Sequence, residues 1–226
     1  MRTVAIIQAR VGSTRLPGKV LADLGGKTTL QRVVERTMAA GFDDVVVATT
    51  TKTEDDRIWT LADSLGARVF RGSEHDVLSR YVGAAREARA DIVVRVTADC
   101  PLLDPTVSRE VVQTLTQGRW DFASNAVVRS YPQGLDTEAC WVDVLERLNR
   151  FDTSPAAREH VFWHVYREEP GLYRIRTLKD VDDNSMVRWT LDTEEDLVRI
   201  RRIFERHPDP LPWRHLLTLT EGLALH

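Results

Sequence analysis

The stretch Val4-Ala-Ile-Ile-Gln-Ala-Arg-Val-Gly-Ser-Thr-Arg-Leu-Pro-Gly-Lys19 joins a short apolar run to a polar loop. The apolar run, residues 4–7, is typical of a buried strand. The loop after it carries two glycines, a proline and the three cations Arg10, Arg15 and Lys19. Glycine lets backbone N–H groups approach an anion closely, and clustered cations suit a polyphosphate. Because open α/β sheets bind ligands beyond the carboxyl ends of their strands, this loop is a candidate ligand site.

Apolar runs alternate with amphipathic stretches through the N-terminal half of the chain. The pattern predicts strands at residues 4–7, 45–48, 69–70 and 92–96, and helices at about 28–40, 53–65 and 73–89. Thr53-Glu-Asp-Asp56 and Ser73-Glu-His-Asp76 each resemble a capping box that opens a helix. Near-continuous apolar strands separated by helices indicate a parallel sheet that is covered on both faces.

The order of elements changes after Pro101. Asp104-Pro105 reads as an N-cap followed by a proline in the first turn, so a helix is predicted to about Gln117. Strands are predicted at 121–125, 139–142 and 173–178, and helices at about 154–168 and 193–206, with a short last helix after Pro208, Pro210 and Pro212. No linker is long enough to separate two domains. We therefore expect a single three-layer α/β/α domain, Rossmann-like, with a mixed, mostly parallel sheet.

Composition excludes several classes of partner. The chain of 226 residues has 31 basic and 34 acidic residues, a formal net charge of −3, which leaves no basic excess for a nucleic acid or a membrane surface. Cys100 and Cys140 lack the spacing of a zinc site, and the scarcity of cysteine fits a reducing compartment. No apolar run reaches the length of a signal peptide or a membrane span, so a cytoplasmic location is expected.

Two near matches to a phosphate-binding P-loop are rejected. Between Gly12 and Gly18-Lys19 there are five residues instead of four, and Val20 stands where Ser or Thr should hold Mg²⁺. Gly26-Lys27-Thr28 has Leu21 at the position of the first glycine. An ATPase of this type is therefore not predicted.

Two acidic residues lie where a metal–nucleotide complex would need them. Asp99, in Thr97-Ala-Asp-Cys-Pro101, follows the fourth predicted strand. Asp192 comes just before Thr193 and Asp196, which form a capping box on their own. Because Mg²⁺ is held by one or two carboxylates plus substrate phosphates, Asp99 and Asp192 are candidate ligands. The alternative for Asp99 is an aspartate that caps the turn before Pro101.

Several segments together resemble one enzyme family. Ala9-Arg-x-Gly-Ser-Thr-Arg-Leu-Pro-Gly-Lys19 is similar to the signature loop of the cytidylyltransferases that make CMP-activated acid sugars, a group that includes CMP-KDO and CMP-acylneuraminate synthetases. Val94-Arg-Val-Thr-Ala-Asp-Cys-Pro-Leu-Leu-Asp-Pro105 resembles the SpsF-type version of its metal-aspartate motif, and Leu191-Asp-Thr-Glu-Glu-Asp-Leu197 resembles its Asp-Thr-x-x-Asp-Leu motif. The resemblance covers about residues 3–203, and it departs from the CMP-KDO and acylneuraminate branches on the acceptor side.

The resemblance implies a nucleotide-diphospho-sugar-transferase-like fold and a Mg²⁺-dependent transfer of CMP from CTP to an acceptor, with release of pyrophosphate. The acceptor would be an acid sugar, a sugar or polyol phosphate, or a phosphonate. Arg15 and Lys19 would be catalytic, and Asp99 and Asp192 would hold Mg²⁺. Nucleotide binding would fall to Gln8, Ala9, Arg10, Gly12, Ser13, Arg15, Lys19 and Arg71.

The acceptor side is assigned by the same resemblance. Segments around Ser124-Asn125, Tyr131–Glu138 and Arg158–His160 are similar to SpsF-like proteins, and the acceptor would meet Asn125, Asp136, Glu138, Arg158 and His160. The CTP-binding half would span about residues 1–103, and residues 104–226 would bind the acceptor and include the contacts of a homodimer. Structural alternatives stay open: an Arg158–Glu159 surface pair, a core His160, and an Arg71–Asp76 ion pair.

Three other functions compete with this interpretation. A nucleotidyltransferase that uses UTP or GTP with a sugar phosphate would share the fold, and so would a glycosyltransferase of the GT-A type. The glycosyltransferase should carry Asp-x-Asp, where this chain has Thr97-Ala-Asp99. A non-enzymatic nucleotide-binding scaffold should have lost one of the key charges, yet the chain has all of Arg15, Lys19, Asp99 and Asp192.

Overall fold

A computed structural model describes residues 1–208 and 211–221. In them, one sheet has the strand order β3-β2-β1-β4-β6-β5-β7. Strand β6 runs antiparallel to its neighbours β4 and β5, and the other pairings are parallel. The strands are β1 Thr3–Gln8, β2 Asp44–Thr50, β3 Arg68–Gly72, β4 Ile92–Thr97, β5 Phe122–Ser124, β6 Glu138–Trp141 and β7 Ile175–Thr177.

Helices cover both faces of the sheet because alternate side chains of each buried strand point to opposite sides. Val4 and Ile6 of β1 share a core with α3 and α5, whereas Ala5 and Ile7 share one with α1, α2 and α4. A third core packs α7 and α8 around Trp189. The helices are α1 Thr29–Ala39, α2 Asp56–Ser64, α3 Val77–Glu87, α4 Pro105–Thr116, α5 Val142–Phe151, α6 Pro155–His160, α7 Glu194–Arg206 and α8 Trp213–Glu221.

The predicted fold is confirmed: one mixed, mostly parallel sheet lies between helical layers. The N-cap Asp104 with Pro105 is confirmed, and so is the capping box of Thr193 and Asp196. None of the helices described here is long and apolar enough to cross a membrane. Pro210, one of the three prolines expected to break the chain, lies outside the described residues.

Of the two other predicted capping boxes, the one at Thr53–Asp56 is wrong, and at Ser73–Asp76 only half is present, because the Ser73 hydroxyl accepts from Asp76 N at 3.1 Å but the helix begins later. A 3-10 turn, Thr53–Asp55, precedes α2, and the carboxylate of Asp55 accepts from the Thr50 hydroxyl and from the N–H of Val11 instead of capping the helix. Helix α3 begins after Asp76, whose side chain accepts from Ser79 N at 2.8 Å. In both segments an aspartate side chain accepts hydrogen bonds from groups outside the predicted box: Asp55 from Val11 and Thr50, and Asp76 from Ser79. The spacing of the residues does not reveal these contacts.

The segment from residue 142 to 168 also differs from the prediction. Helix α5 was not predicted, because its N-cap residue is Trp141, which makes no side-chain cap. The single helix predicted at 154–168 is divided: α6 ends at His160, Val161 has a φ of 51°, and a π-helical turn follows at His164–Glu168. A positive φ is rare for a β-branched residue, so no sequence signal marks this break.

The topology gathers three chain segments at one edge of the sheet. Gln8 at the end of β1 pairs in register with Thr97 at the end of β4. Because β6 runs the opposite way, its first residue, Glu138, lies opposite Arg95 near that same edge. The Tyr81 hydroxyl of α3 lies 3.2 Å from the carbonyl oxygens of both Ile6 and Val96, which ties β1 to β4 just below the edge.

Candidate active site

A cleft with two lobes opens at this edge, and each lobe has a volume of about 280 Å³. Arg15, Thr97, Asp99 and Asp192 line both lobes, so these residues form the wall between them. The first lobe is otherwise lined by Gln8, Ala9, Arg10, Gly12, Ser13, Thr14, Lys19, Val20, Val77, Arg80, Ala98, Glu159 and His160. The second is otherwise lined by Arg95, Cys100, Ala126, Arg129, Asp136, Glu138, Tyr166 and Thr190.

The signature loop after β1 is held by backbone contacts and by one buried acid. The carbonyl of Val11 accepts from Ser13 N at 2.8 Å and from Gly18 N at 3.1 Å. Its own N–H donates to Asp55 Oδ1 at 2.7 Å, and Asp55 is 1% exposed. Gly18 has a φ of 73°, a conformation that disfavours residues with a Cβ. These contacts close the loop and turn its cations into the cleft.

The two acids converge on Lys19. The N–H of Leu191 donates to the carbonyl of Asp99 at 2.8 Å, which places Asp192 beside Asp99. Lys19 Nζ then lies 2.7 Å from Asp99 Oδ2 and 2.9 Å from Asp192 Oδ1. Arg15 also donates to Asp192 Oδ1, at 2.9 Å. The structure thus brings together the four charged residues that the sequence singled out.

The charges of this cluster stabilise one another. Burial by itself lowers the pKa of Lys19, but Asp99 and Asp192 outweigh it, and the pKa of Lys19 is raised. Burial likewise favours a neutral Asp99, yet the neighbouring Lys19 holds the pKa of Asp99 below its usual value. Lys19 and Asp99 are therefore held in their charged forms.

The donor set fits a magnesium ion. Two carboxylates from separate segments face one cation, and both also face the lobe that has the basic loop. Oxygen ligands of this kind, completed by water and phosphate oxygens, are what Mg²⁺ takes in nucleotide sites. Asp192 is fixed from behind by Arg188 Nη2 at 3.0 Å and by its N–H, which donates to Asp196 Oδ2 at 3.0 Å.

Most of the residues predicted to bind nucleotide line the first lobe, and one does not. Arg71 donates to the carbonyls of Thr50 and Lys52 at 2.8 Å each and to Asp56 at 2.6 Å. Arg71 therefore binds the turn before α2 and lines neither lobe. Its acidic partner is Asp56, and not Asp76 as the structural alternative proposed. The lobe does hold Gln8, Ala9, Arg10, Gly12, Ser13, Arg15 and Lys19.

Arg80 is a residue of the first lobe that the sequence analysis missed. It is 2% exposed, its Nη1 donates to the carbonyl of Ser73 at 2.9 Å, and its Nε has no hydrogen-bond partner among the described residues. Burial lowers the pKa of this guanidinium. An arginine on the otherwise apolar face of α3 was the available signal, since Arg is rarely buried without a partner or a ligand.

The second lobe contains paired charges. Arg129 makes two parallel contacts with Asp136, at 2.6 and 2.7 Å, and Arg95 pairs with Glu138. Arg95 Nη2 also donates to Gln8 Oε1 at 3.2 Å, so a polar chain runs from the first lobe to the second. Asp136 and Glu138 were predicted on the acceptor side. The sequence analysis gave no role to Arg95, Arg129, Tyr166 or Thr190.

Three predicted acceptor contacts lie elsewhere. Asn125 is 1% exposed, and its amide bonds to Leu135 O and Thr137 N at 2.8 Å each, so it shapes the loop before β6 without lining the second lobe. Arg158 pairs with Asp76 at 3.3 Å and Asn149 at 2.8 Å. It lines neither lobe, and it does not pair with Glu159.

His160 is exposed rather than part of the core, and it lines the first lobe, not the second. It therefore lies on the side of the cleft with the signature loop. The sequence placed it with the acceptor because the segment was assigned as a whole by its likeness to other proteins.

Comparison with known proteins gives consistent matches over most of the chain. A family model described as cytidylyltransferase matches residues 4–207. The spore coat polysaccharide biosynthesis protein SpsF of Bacillus subtilis is 34% identical over 210 residues, which are 89% of this chain and 85% of that protein. The 3-deoxy-manno-octulosonate cytidylyltransferase of Idiomarina loihiensis is 40% identical over 124 residues, which are 53% of this chain and 47% of that protein.

Among solved structures, a cytidylyltransferase of Leptospira borgpetersenii serovar Hardjo-bovis superposes with a TM-score of 0.94 at 34% sequence identity. The match covers 98% of this chain and 94% of that one. The similarity therefore includes both lobes of the cleft, whereas the match to the octulosonate enzyme covers about half of the chain.

Proposed function

Because the chain belongs to the cytidylyltransferase family and is therefore a nucleotidyltransferase, we propose that it transfers CMP from CTP to a small acceptor in a Mg²⁺-dependent reaction. The acceptor is an acid sugar, a sugar or polyol phosphate, or a phosphonate, and pyrophosphate is released. The name of SpsF supports an acceptor used in polysaccharide synthesis, and the name of the 3-deoxy-manno-octulosonate cytidylyltransferase supports an acid sugar.

The first lobe is the proposed CTP site. Its basic residues suit a triphosphate: Arg10 makes no hydrogen bond or ion pair with any described residue, and Arg80 is buried with an unpartnered Nε. Arg15 at the wall and Lys19 in the first lobe are the proposed contacts of the β- and γ-phosphates. Fixed cations aimed at a developing pyrophosphate stabilise the transition state without reorganisation. Backbone groups of Gln8, Ala9 and Arg10 are the proposed contacts of the pyrimidine.

The second lobe is the proposed acceptor site. Asp136 and Glu138 have carboxylate oxygens that accept from hydroxyls, and their partners Arg129 and Arg95 donate to an anionic group. Thr190 adds a hydroxyl that has no partner among the described residues. The acceptor oxygen is proposed to attack the α-phosphate from this lobe, in line with a pyrophosphate that leaves on the opposite side, into the first lobe.

Asp99 and Asp192 are the proposed holders of Mg²⁺. When bound, the ion neutralises phosphate charge and keeps the triphosphate in one geometry. The two carboxylates supply its protein ligands, and Arg188 and Asp196 keep Asp192 in place. The observation that supports the proposal most is the position of the Lys19–Asp99–Asp192 cluster between two lobes, one basic and one with paired charges.

The test is a screen for pyrophosphate release. CTP, UTP, GTP and ATP are each combined with a panel of acid sugars, sugar and polyol phosphates and phosphonates, with and without Mg²⁺. We expect release with CTP and Mg²⁺ and one acceptor class. Preference for UTP or GTP would instead identify the related sugar-phosphate nucleotidyltransferase, and nucleotide binding without turnover would identify a scaffold. Transfer from a sugar nucleotide without pyrophosphate would identify a glycosyltransferase.

We further propose a homodimer that acts in a reducing compartment such as the cytoplasm. Val181 and Met186 in the C-terminal half support a homodimer, because these apolar side chains are 94% and 90% exposed. Cys100 and Cys140 are both free and buried, which supports a reducing compartment. Light scattering on the purified chain distinguishes a dimer from a monomer.

The chain is also proposed to divide into a CTP half, about 1–103, and an acceptor half, about 104–226. This division follows from the proposed assignment of the first lobe to CTP and of the second lobe to the acceptor.

A further inference from the structure

Asp152, His164 and Glu168 form a cluster of ligand atoms away from the lining of the cleft. Asp152 ends α5, and the other two residues begin and end the π-helical turn. His164 Nδ1 lies 3.4 Å from Asp152 Oδ2 and 3.1 Å from Glu168 Oε2. The three atoms all lie within 4.8 Å of one another. The imidazole is also packed edge-on against the ring of Tyr173.

Ser154 orients both carboxylates of this cluster. Its N–H donates to Asp152 Oδ1 at 3.0 Å, and its hydroxyl donates to Glu168 Oε1 at 3.2 Å. The remaining oxygens, Oδ2 and Oε2, are left facing His164. Such outer contacts are what fix the ligands of protein metal sites.

The second carboxylate oxygen of Asp152 is unusual in its surroundings. The Asp152 side chain is 4% exposed, and its Oδ2 has no hydrogen-bond partner among the described residues. A buried carboxylate oxygen without a hydrogen bond is costly, because it has given up its contacts with water, and here His164 Nδ1, at 3.4 Å, faces it. This oxygen is directed at the position that the other two ligand atoms share.

We propose that Asp152, His164 and Glu168 bind a divalent transition-metal ion of the Zn²⁺ type. Ligand atoms at about 2.0–2.1 Å from a tetrahedral Zn²⁺ lie about 3.3 Å apart, and the two distances from His164 Nδ1 fall on either side of that value. One imidazole with carboxylates suits Zn²⁺ better than Mg²⁺ or Ca²⁺, which prefer oxygen ligands alone. Solvent supplies the fourth ligand, since His164 and Glu168 are partly exposed.

The location gives this ion a role. The π-helical turn carries Tyr166, which lines the second lobe, and the preceding residues Glu159 and His160 line the first. Between them Val161 has a φ of 51°, a conformation that costs free energy and persists only when the surroundings enforce it. An ion joining Asp152 to the turn would hold this segment against the end of α5 and keep both lobes in shape.

The experiment measures Zn²⁺ binding without nucleotide, so its result does not depend on the proposed function. The full chain is stripped with a chelator and titrated with Zn²⁺ against a chromophoric competitor, and Co²⁺ then reports the geometry by its absorption spectrum. We expect one site with a tetrahedral Co²⁺ spectrum. Binding should persist in the Asp99→Asn/Asp192→Asn double variant, because those carboxylates belong to the cleft.

Variants of the cluster decide between a site and surface binding. Loss of a ligand in His164→Ala should weaken binding by more than the roughly 10–100-fold that loss of an outer contact costs, and Ser154→Ala should fall within that range. If His164→Ala does not fold, Glu168→Gln replaces it as the variant that loses a ligand, because Glu168 is partly exposed. His75→Ala, which removes a histidine that is 90% exposed at the side chain, should change nothing.

The proposal would be overturned if His164→Ala and Glu168→Gln both bound Zn²⁺ with the affinity of the original chain. It would also be overturned if the original chain withheld no Zn²⁺ from the competitor.

Discussion

Lys19 is the residue on which the charges of the cleft converge. Its amine occupies the position between Asp99 and Asp192 that a divalent ion would share, so the ammonium and a metal ion compete for the same two carboxylates. In the proposed reaction Asp99 and Asp192 would hold the ion, and the amine of Lys19 would then be free to contact the phosphates. Single charges in such a cluster are therefore expected to matter more for turnover than for folding.

Lys19→Ala and Asp99→Asn should each lower kcat for pyrophosphate release by about 10²–10³, because each removes a charge aimed at the transition state. The measurement is the steady-state rate at saturating CTP and acceptor. Lys27→Ala is the matched control, since Lys27 pairs with Glu35 at the surface and is 41% exposed at the side chain. Near-normal turnover in a folded Lys19→Ala or Asp99→Asn variant would contradict the assigned role.

Asp196 supports the cleft from behind, and its effect should depend on pH. Burial raises its pKa, but Arg188 and the N–H groups of Asp192 and Thr193 outweigh this, and the pKa of Asp196 is held well below its ordinary value of about 3.9. The charge therefore stabilises the fold above about pH 4, and this contribution is lost as pH falls through the lowered pKa.

Asp196→Asn should lower the free energy of unfolding by about 1–3 kcal/mol at pH 7, and the difference should shrink near pH 3. Urea unfolding of both chains at the two pH values measures it. Asp63→Asn, at an exposed position of α2, should be neutral at both. The same loss at pH 3 and pH 7 would show that the carboxylate charge is not the cause.

At the scale of elements, the signature loop takes its shape from the turn that precedes α2. Asp55, at the end of that turn, is buried and holds Val11 N on one oxygen and the Thr50 hydroxyl on the other. The loop after β1 is thus fastened to the end of β2, its neighbour in the sheet. Its cations are placed by this contact as much as by its own glycines.

Asp55→Ala should destabilise the fold by about 1–3 kcal/mol, since it leaves a buried N–H unpaired, and it should raise KM for CTP about tenfold by loosening the loop. Thermal melts and steady-state kinetics measure the two effects. The neighbouring Asp56→Ala is the control: Asp56 is 51% exposed at the side chain and pairs with Arg71, so a change within about 0.5 kcal/mol is expected. A stable Asp55→Ala variant with unchanged KM would show that the loop shapes itself.

The sequence predicted the elements with strong local signals. Strands such as β1 and β4 are continuous apolar runs, and Asp104-Pro105 and Thr193 with Asp196 are complete start signals. Helix α5 lacks a side-chain cap at Trp141 and was missed. Roles that depend on distant partners were missed too. The side-chain amide of Asn125 is hydrogen-bonded to the backbone of Leu135 and Thr137. Arg95 lies opposite Glu138 because β6 is the neighbour of β4.

At the scale of the whole molecule, the cleft couples two lobes through shared residues. Asp99 and Asp192 line both, and the Gln8–Arg95–Glu138 chain crosses from one to the other. We therefore expect binding in the first lobe to order the wall that it shares with the second. A ligand that binds the folded chain alone also stabilises it by mass action.

CTP with Mg²⁺ should raise Tm by about 5–10 °C at one hundred times its Kd, because such binding adds about 2.7 kcal/mol to the free energy of unfolding. CTP with EDTA should give a smaller shift, and in the Asp99→Asn/Asp192→Asn variant Mg²⁺ should add nothing. Differential scanning fluorimetry measures all three. An identical shift with Mg²⁺ and with EDTA would contradict the assignment of these acids to the metal.

The reversed direction of β6 has a consequence for how such a protein can diversify. Residues 126–138 reach the edge just before the antiparallel strand β6, whereas residues 8–19 leave it after the parallel strand β1, and members of both stretches line the cleft. If the proposed lobes are right, substitutions in residues 126–138 should change the choice of acceptor while residues 8–19 keep their contacts with the nucleotide.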